Sequence, residues 1–189
     1  MSAELPVLVG IDGSRDGLIA LTWATAYAEL HQAPLHAVYV LDDEGEVGGG
    51  PPPTEADDGS EVLDDALQEL GRLGFRDASL EVRHGHPAQA LLELSERSIA
   101  LVVGRRGMGG FAELVLGSTS QTCTALATKV PLIVVPDTWN PATAAHQRIV
   151  VGVGGLGRTA FSELRMGSVA RGLLHHSYCP VAVVHHPEP

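Results

Sequence analysis

Hydrophobic and polar positions follow two alternating periods along the first 136 residues of the chain. The segments with the short apolar or alternating pattern of strands are residues 7–11, 35–41, 79–83, 99–103 and 132–135. The segments between them that have helical periodicity are residues 18–30, 60–73, 86–95 and 117–128. Because strands that alternate with helices build parallel sheets, the pattern predicts an α/β fold with a doubly wound, five-stranded parallel sheet.

One segment breaks this pattern after the second strand. Residues 42–61 contain eight acidic residues, no basic residue, three consecutive glycines and three consecutive prolines. Such a composition cannot bury a core, so we predict a disordered, solvated acidic loop over residues 42–60. Ser60, where the loop meets the next helix, is the candidate cap of that helix.

A partial internal repeat appears when the chain is shifted by 50 positions. The residues that align are Val103-Gly104, Gly107, Phe111 and Gly117-Ser118 with Val153-Gly154, Gly157, Phe161 and Gly167-Ser168. We therefore predict a first domain over residues 1–136, a linker over 137–147 and a truncated βαβ half-domain over 148–189. Because roughly 40 residues are too few to fold alone, the half-domain must dock on the first domain or on another chain. Its last strand, 181–184, would either cover an edge of the sheet or be exchanged between chains.

Charge and composition exclude several classes of protein. The chain has 12 Lys and Arg against 23 Asp and Glu, a net charge of −11 that argues against nonspecific binding to nucleic acid. Residues 42–61 carry eight of these acids, so the remaining 15 acids and 12 bases do not oppose phosphate binding elsewhere. No apolar run reaches the roughly 18 residues of a membrane span, and the first residues do not resemble a secretory signal. These features predict a cytoplasmic protein with no membrane or nucleic-acid partner.

The glycine-rich segment after the fourth predicted strand carries the candidate chemistry. It reads Gly104-Arg-Arg-Gly107, then nine residues, then Gly117-Ser118 at the start of a helix. Glycine allows the backbone to approach a ligand, and the free N–H groups of a helix start attract an anion. Hydroxyl groups of Ser118, Thr119 and Ser120 add hydrogen-bond donors. This arrangement predicts a phosphate cradle, but not a Walker A loop, since no lysine follows the glycines.

Two separate pieces of this sequence resemble the universal stress protein family. The pattern G-x2-G-x9-G-S resembles the nucleotide-binding signature of that family, and Val7-Leu-Val-Gly-Ile-Asp12-Gly-Ser14 is similar to its opening strand. The resemblance covers one whole domain, followed by a truncated second repeat. It implies an α/β fold like that of the adenine-nucleotide α-hydrolases. It also implies a cytoplasmic, regulatory stress-response protein that binds ATP, ADP or AMP with Mg²⁺ and forms a homodimer through its terminal strands.

The resemblance also assigns site residues. It places Ile11 and Asp12 at the nucleotide, with Asp12 near the ribose or a bound Mg²⁺, and the backbone of Val40 against adenine. The residues that would hold the phosphates are Gly104, Arg106, Gly107, Gly117, Ser118, Thr119 and Ser120. The chain departs from the family at Ile99, where an aspartate usually precedes the fourth strand.

Simpler interpretations of these residues remain open. The loop could be a connection without a ligand, Asp12 a turn residue that caps the next helix, and Arg105 and Arg106 solvated charges. The protein would then be an interaction or dimerisation module with a vestigial nucleotide site. A slow ATPase is a third hypothesis, since the sequence identifies no catalytic residue.

The second copy of the loop has its own alternatives. The residues that repeat the pattern are Gly154, Gly157, Gly167 and Ser168. This copy lacks an adenine pocket and would bind nucleotide only with help from elsewhere. Gly152-Val-Gly-Gly-Leu-Gly157 also fits a dinucleotide fingerprint, but the acid expected about 20 residues later is absent. The nine histidines lack metal-ligand spacing and are interpreted as surface residues, and Cys123 and Cys179 as buried small residues.

Overall fold

A computed structural model describes residues 4–42, 58–108, 116–127, 129–142, 150–154 and 168–185. Helices and strands alternate along this part of the chain, except that two strands follow one another at Leu132–Val135 and Val150–Gly154. The elements, in order, are β1 (Val7–Ile11), α1 (Arg15–His31), β2 (Leu35–Leu41), α2 (Ser60–Leu73), β3 (Ala78–His84), α3 (Pro87–Ser95), β4 (Ala100–Gly104), α4 (Ser118–Leu126), β5 (Leu132–Val135), β6 (Val150–Gly154), α5 (Ser168–His176) and β7 (Val181–His185). None of the described helices is long and apolar enough to cross a membrane.

The sheet has seven strands in the order β3-β2-β1-β4-β5-β7-β6. The five strands of the first domain are mutually parallel, as the alternation of strands and helices predicts. The half-domain extends this sheet within the same chain, because β7 pairs with β5 antiparallel and β6 pairs with β7 parallel. The sequence predicts that the last strand either covers an edge of the sheet or is exchanged between chains. In the structure it covers the edge of β5.

Helices cover both faces of the sheet because both faces of its central strands are apolar. Along β1, Val7, Val9 and Ile11 pack with α1 and α2, while Leu8 packs on the opposite face with α3 and α4. This alternation follows from the two-residue period of a strand. The half-domain joins both clusters, since Ala182 belongs to the first and Val183 to the second. Its docking therefore extends the core of the first domain.

The boundaries of the elements lie within two residues of the sequence predictions except at the start of α1. Helix α1 begins at Arg15, three residues before the predicted start, because the Ser14 hydroxyl accepts a hydrogen bond from the N–H of Gly17 and caps the helix. Helix α2 begins at Ser60, so the predicted acidic loop overlaps the helix at its last residue. Ser60 is not the cap, because Gly59 occupies that position with a φ of 76°. The remainder of the predicted loop, residues 43–57, lies outside the described residues.

The predicted linker is attached to the first domain at its beginning. Trp139 is only 7% exposed and packs in the cluster between the sheet and helices α1 and α2. Asp137 forms ion pairs with the arginines that follow β4. Asp137 and Trp139 are therefore part of the packed structure, while residues 140–142 are exposed. Residues 143–149 lie outside the described part.

The two cysteines differ in accessibility, and we expect them to differ in reactivity. Burial raises the pKa of the fully buried Cys123 thiol to about 12, while Cys179 is partly exposed. In the folded protein, a thiol reagent should modify Cys179 at least about 100-fold faster than Cys123, which becomes accessible only on unfolding. Timed mass spectrometry measures both rates. The Cys179→Ser variant should show only the slow modification, and a fast modification of that variant would contradict the burial of Cys123.

Candidate functional site

The candidate site lies where the direction of the sheet topology reverses. From β1 the chain moves to β2 and β3 on one side, and β4 lies on the other side of β1. The helices that follow β1 and β4 therefore lie on opposite faces of the sheet, and a crevice opens between the carboxyl ends of these two strands. In open α/β sheets this crevice is the usual place for a ligand. Ile11, at the end of β1, and Gly104, at the end of β4, both lie here and are buried.

Asp12 organises the turn that follows β1. Its Oδ1 accepts hydrogen bonds from the Ser14 backbone N–H at 3.0 Å and from the Ser14 hydroxyl at 2.5 Å. Gly13 has a φ of 75°, which a glycine adopts without strain. The helix cap is Ser14, so the alternative that made Asp12 the cap of the next helix is wrong. Asp12 instead holds the capping side chain in place.

The same carboxylate reaches the glycine-rich loop. Asp12 Oδ2 accepts a hydrogen bond of 3.0 Å from the N–H of Met108. A Cβ on Gly107 would lie 2.3 Å from that oxygen, far inside van der Waals contact. The glycine at position 107 is therefore required for the contact, and the structure joins the two sequence pieces that were singled out separately.

The two arginines of the loop form ion pairs. Asp137 accepts a hydrogen bond from each guanidinium, through Oδ1 from Arg105 Nη2 and through Oδ2 from Arg106 Nη2, the latter at 2.5 Å. Arg106 also has its Nε 3.7 Å from Asp16 Oδ2, and its backbone N–H donates to the same oxygen at 3.2 Å. The interpretation of both arginines as solvated charges is therefore wrong.

The pKa of the Asp16 carboxyl is shifted at this site. Burial raises the pKa of its carboxyl, and the neighbouring Asp137 raises it further, while Arg106 and Arg105 lower it.

Sequence reasoning missed both Asp16 and Asp137. A positional signal was available for Asp137, because it lies two residues after β5 and hence at the same edge of the sheet as Gly104. For Asp16 the only signal was an acid in the first turn of a helix.

Helix α4 begins at the end of the glycine-rich loop. Gly117 is its N-cap, and no side chain among the described residues caps it. The side chain of Ser118 is exposed and that of Thr119 is half-buried, so both are accessible at this helix start. Ser120 is buried, and its hydroxyl donates to the Gly104 carbonyl at 2.7 Å. Its hydroxyl hydrogen therefore ties α4 to β4, which removes it as the phosphate donor that the sequence predicted.

Val40 lies where β2 extends beyond β1. The last residues in register between these strands are Ile11 and Tyr39, so β2 continues for two residues past the β1 ladder. On its other side Val40 is in register with Arg83 of β3. The Val40 backbone therefore lies outside the ladder between β1 and β2. A contact between this backbone and a planar base would require such a position.

Comparison with known proteins places the whole described sheet in one family. A family model described as the universal stress protein family matches residues 5–136 and 144–185. The chain belongs to the universal stress protein family. Two universal stress proteins from mycobacteria are similar over most of this chain. One from Mycolicibacterium smegmatis is 26% identical over 82% of this chain and 55% of its own length, and one from Mycobacterium tuberculosis is 32% identical over 86% and 62%. The chain thus spans little more than half the length of these relatives.

Solved universal stress proteins have the same fold. One determined in complex with cAMP is 27% identical, with a TM-score of 0.54 over 71% of this chain and 98% of that chain. Another, from Lactobacillus plantarum, is 24% identical, with a TM-score of 0.51 over 72% and 99% of the two chains. The adenine-nucleotide hydrolase-like α/β fold expected from the resemblance is confirmed.

The second glycine loop of this universal stress protein begins at the opposite edge of the sheet. Because β7 is antiparallel to β5, and β6 is parallel to β7, Gly154 at the end of β6 lies at the edge where β1 to β5 begin. Ser168 starts α5, while Gly157 and Gly167 lie outside the described residues. Gly154 and the first site therefore lie at opposite edges of the sheet.

The described surface has a separate groove that does not contain the site. It has a volume of about 510 Å³ and lies between α3 and α4. Its lining residues are His86, Gln89, Leu92, Glu93, Ser95, Glu96, Thr122, Leu126, Ala127 and Lys129. None of the glycine-loop residues contributes to it. The candidate site at the edge of the sheet is therefore separate from this groove.

Proposed function

We propose that this chain binds ATP, ADP or AMP through the G-x2-G-x9-G-S loop and acts as a regulatory protein in a cytoplasmic stress response. The observation that carries the proposal is the hydrogen bond between Asp12 Oδ2 and the Met108 N–H, which brings the two family-like pieces of the sequence together. They meet at the reversal point of the sheet, where α/β proteins bind their ligands. The backbone of Val40, the Asp12 turn and the N-terminus of α4 lie at this edge of the sheet.

Each part of a nucleotide has a matching group. The backbone of Val40 beyond the β1 ladder suits adenine, and the Asp12 turn suits the ribose. The uncapped N-terminus of α4, with Ser118 and Thr119, suits phosphate because its N–H groups and dipole favour an anion. The related structure in complex with cAMP supports an adenine nucleotide as the ligand.

Magnesium would enter this site with the nucleotide. Both oxygens of Asp12 already accept hydrogen bonds, and no group of three potential metal ligands occurs among the described residues. The residues therefore do not form a magnesium site of their own, and Asp12 alone does not fit the role of a metal ligand. A Mg²⁺ ion would depend on the phosphates for most of its ligands.

The homodimer through terminal strands also belongs to the proposal. Since β7 pairs with the edge of β5, the strands at the two ends of the described sheet are β3 and β6. Two copies of the chain would have to join through one of these strands. Light scattering measures the mass of the particle in solution, and a monomer would contradict this part of the proposal.

Calorimetric titration with adenine nucleotides tests the binding proposal. The wild type should bind at least one of ATP, ADP and AMP, whereas Gly117→Val should lose the binding. Gly117 has a φ of −68°, and a Cβ there would meet its nearest neighbours at 3.4 Å or more. Valine therefore fits the fold but fills the loop. The matched control is Gly71→Val on the exposed face of α2, where a Cβ meets nothing within 4 Å. Absence of binding to the wild type, or equal binding by Gly117→Val, would refute the proposal.

A further inference from the structure

Carboxylates of the chain itself already accept hydrogen bonds from several donors at the start of the glycine-rich loop. The backbone N–H groups of Arg106 and Met108 donate to Asp16 and Asp12, and both guanidinium groups donate to Asp137. A loop that attracts anions thus has three anions of the protein bound to it. We call Asp12, Asp16 and Asp137 the acidic triplet.

The acidic triplet gives this corner of the site an excess of negative charge. Asp16 and Asp137 pair with the two guanidinium groups of Arg105 and Arg106, and the third carboxylate, Asp12, binds the backbone of the same loop. These five groups sum to one negative charge. The raised pKa of Asp16 is consistent with this balance, because burial and the neighbouring Asp137 outweigh the two arginines. An incoming phosphate therefore meets arginines whose charge is already compensated.

The geometry points to a specificity-determining role for Asp16 and Asp137. We propose that these two aspartates make the site favour adenine nucleotides with a single phosphate, linear or cyclic, over the triphosphate. This inference rests on the proposed function, since it concerns the ligand of the same site. It assigns a role to two residues that flank the glycine pattern and do not belong to it.

The physical basis of the selection is competition for the arginines. A single phosphate can use the N-terminus of α4 and leave the ion pairs of Arg105 and Arg106 intact. Each further phosphate adds negative charge near the acidic triplet, and it gains an arginine only by breaking an existing pair. A broken pair leaves the buried Asp16 or the half-buried Asp137 without its partner, which is unfavourable at low local dielectric. The cost therefore rises with the number of phosphates.

Two substitutions remove the charge and keep the hydrogen-bonding shape. Asp16→Asn and Asp137→Asn each retain an oxygen that accepts from the loop, but each cancels the excess negative charge. They lie on different elements, one in α1 and one after β5, so a folding defect in one variant leaves the other informative. Asp77→Asn is the matched control. It makes the same change in net charge at an exposed position before β3, at the opposite edge of the sheet.

Competition titrations with cAMP, AMP and ATP, without Mg²⁺ and then with it, test the inference. The wild type should bind AMP or cAMP more tightly than ATP. Each Asn variant should raise the affinity for ATP relative to AMP by about fivefold or more, and Asp77→Asn should leave that ratio unchanged. Mg²⁺ should narrow the preference in the wild type, because it neutralises part of the triphosphate charge.

The outcomes separate this inference from the proposed function. A wild type that binds ATP more tightly than AMP, with a ratio that neither Asn variant changes, overturns the specificity role while nucleotide binding stands. A ratio that Asp77→Asn changes as much as Asp16→Asn also overturns it, because net charge alone would then explain the effect. A wild type that binds none of the three nucleotides overturns both proposals.

Discussion

Gly107→Val is expected to weaken adenine-nucleotide binding by about 100-fold or more, equivalent to roughly 2.7 kcal/mol of binding free energy. The Cβ of any residue at this position would lie 2.3 Å from Asp12 Oδ2, so the carboxylate must move. Its movement breaks the hydrogen bond from the Met108 N–H and disturbs the Ser14 turn at the start of α1. Both motif pieces thus lose their common contact. Calorimetric titration with AMP and ATP measures the loss.

The Gly71→Val control separates the site from general effects of valine. It places the same side chain on an exposed helical position far from the glycine-rich loop, and we expect nucleotide binding to be unchanged. Circular dichroism of both variants establishes that the fold is retained. Equal binding by Gly107→Val and the wild type would show that the contact between Asp12 and the loop is not part of a binding site.

Val183→Asp is expected to lower the free energy of unfolding by about 3–5 kcal/mol, because it places a carboxylate without a partner in the core. Val183 is fully buried and packs in the same cluster as Leu101, Leu132 and Val134. It lies opposite Leu132 in the antiparallel pairing of β7 with β5. Denaturation in urea, followed by circular dichroism, measures the change.

The next residue of the same strand provides the control. Val184 is 36% exposed, so Val184→Asp should cost about 1 kcal/mol or less, mostly through strand propensity. Loss of β7 in the Val183 variant would also uncover the apolar edge of β5, which favours association between chains. Light scattering should therefore detect larger particles for that variant. Equal destabilisation by the two substitutions would contradict the docking of the half-domain on β5.

The parts of the site that sequence reasoning found are those with a local signal. Gly104, Gly107 and Gly117 repeat at fixed spacing, and Asp12 follows a buried strand in a turn sequence. A backbone that approaches other groups closely requires glycine, and that requirement is visible in the sequence. The structure adds the reason at Gly107, which is the Asp12 carboxylate 2.3 Å from where a Cβ would lie.

The residues that sequence reasoning missed or misplaced depend on contacts across long sequence separations. Asp137 pairs with arginines that lie about 30 positions earlier, and Asp16 contacts the N–H of Arg106 across 90 positions. Ser120 has the spacing of a phosphate donor but bonds to the Gly104 carbonyl, because the first turn of α4 packs against β4. No pattern in one sequence distinguishes a solvated charge from a paired one.

The sequence alone determined the alternation of elements and hence the parallel first domain. Apolar runs with a two-residue period and helices with their own period are local properties, and both faces of the sheet must be covered when its strands are apolar throughout. The sequence repeat also identified the half-domain as a strand–loop–helix–strand unit. It did not determine the partner strand or direction of that unit, because an edge strand can be extended parallel or antiparallel by similar hydrogen bonds.

Only the tertiary structure decided that β7 runs antiparallel to β5, and this direction has a functional consequence. It places Gly154, where the second glycine loop begins, at the far edge of the sheet from the first loop. The tertiary structure also decided the charge of the first site, since it brings Asp16 and Asp137 to the arginines of the loop. Side-chain pairing depends on distances through space, whereas the periodicities of the sequence report only on neighbours along the chain.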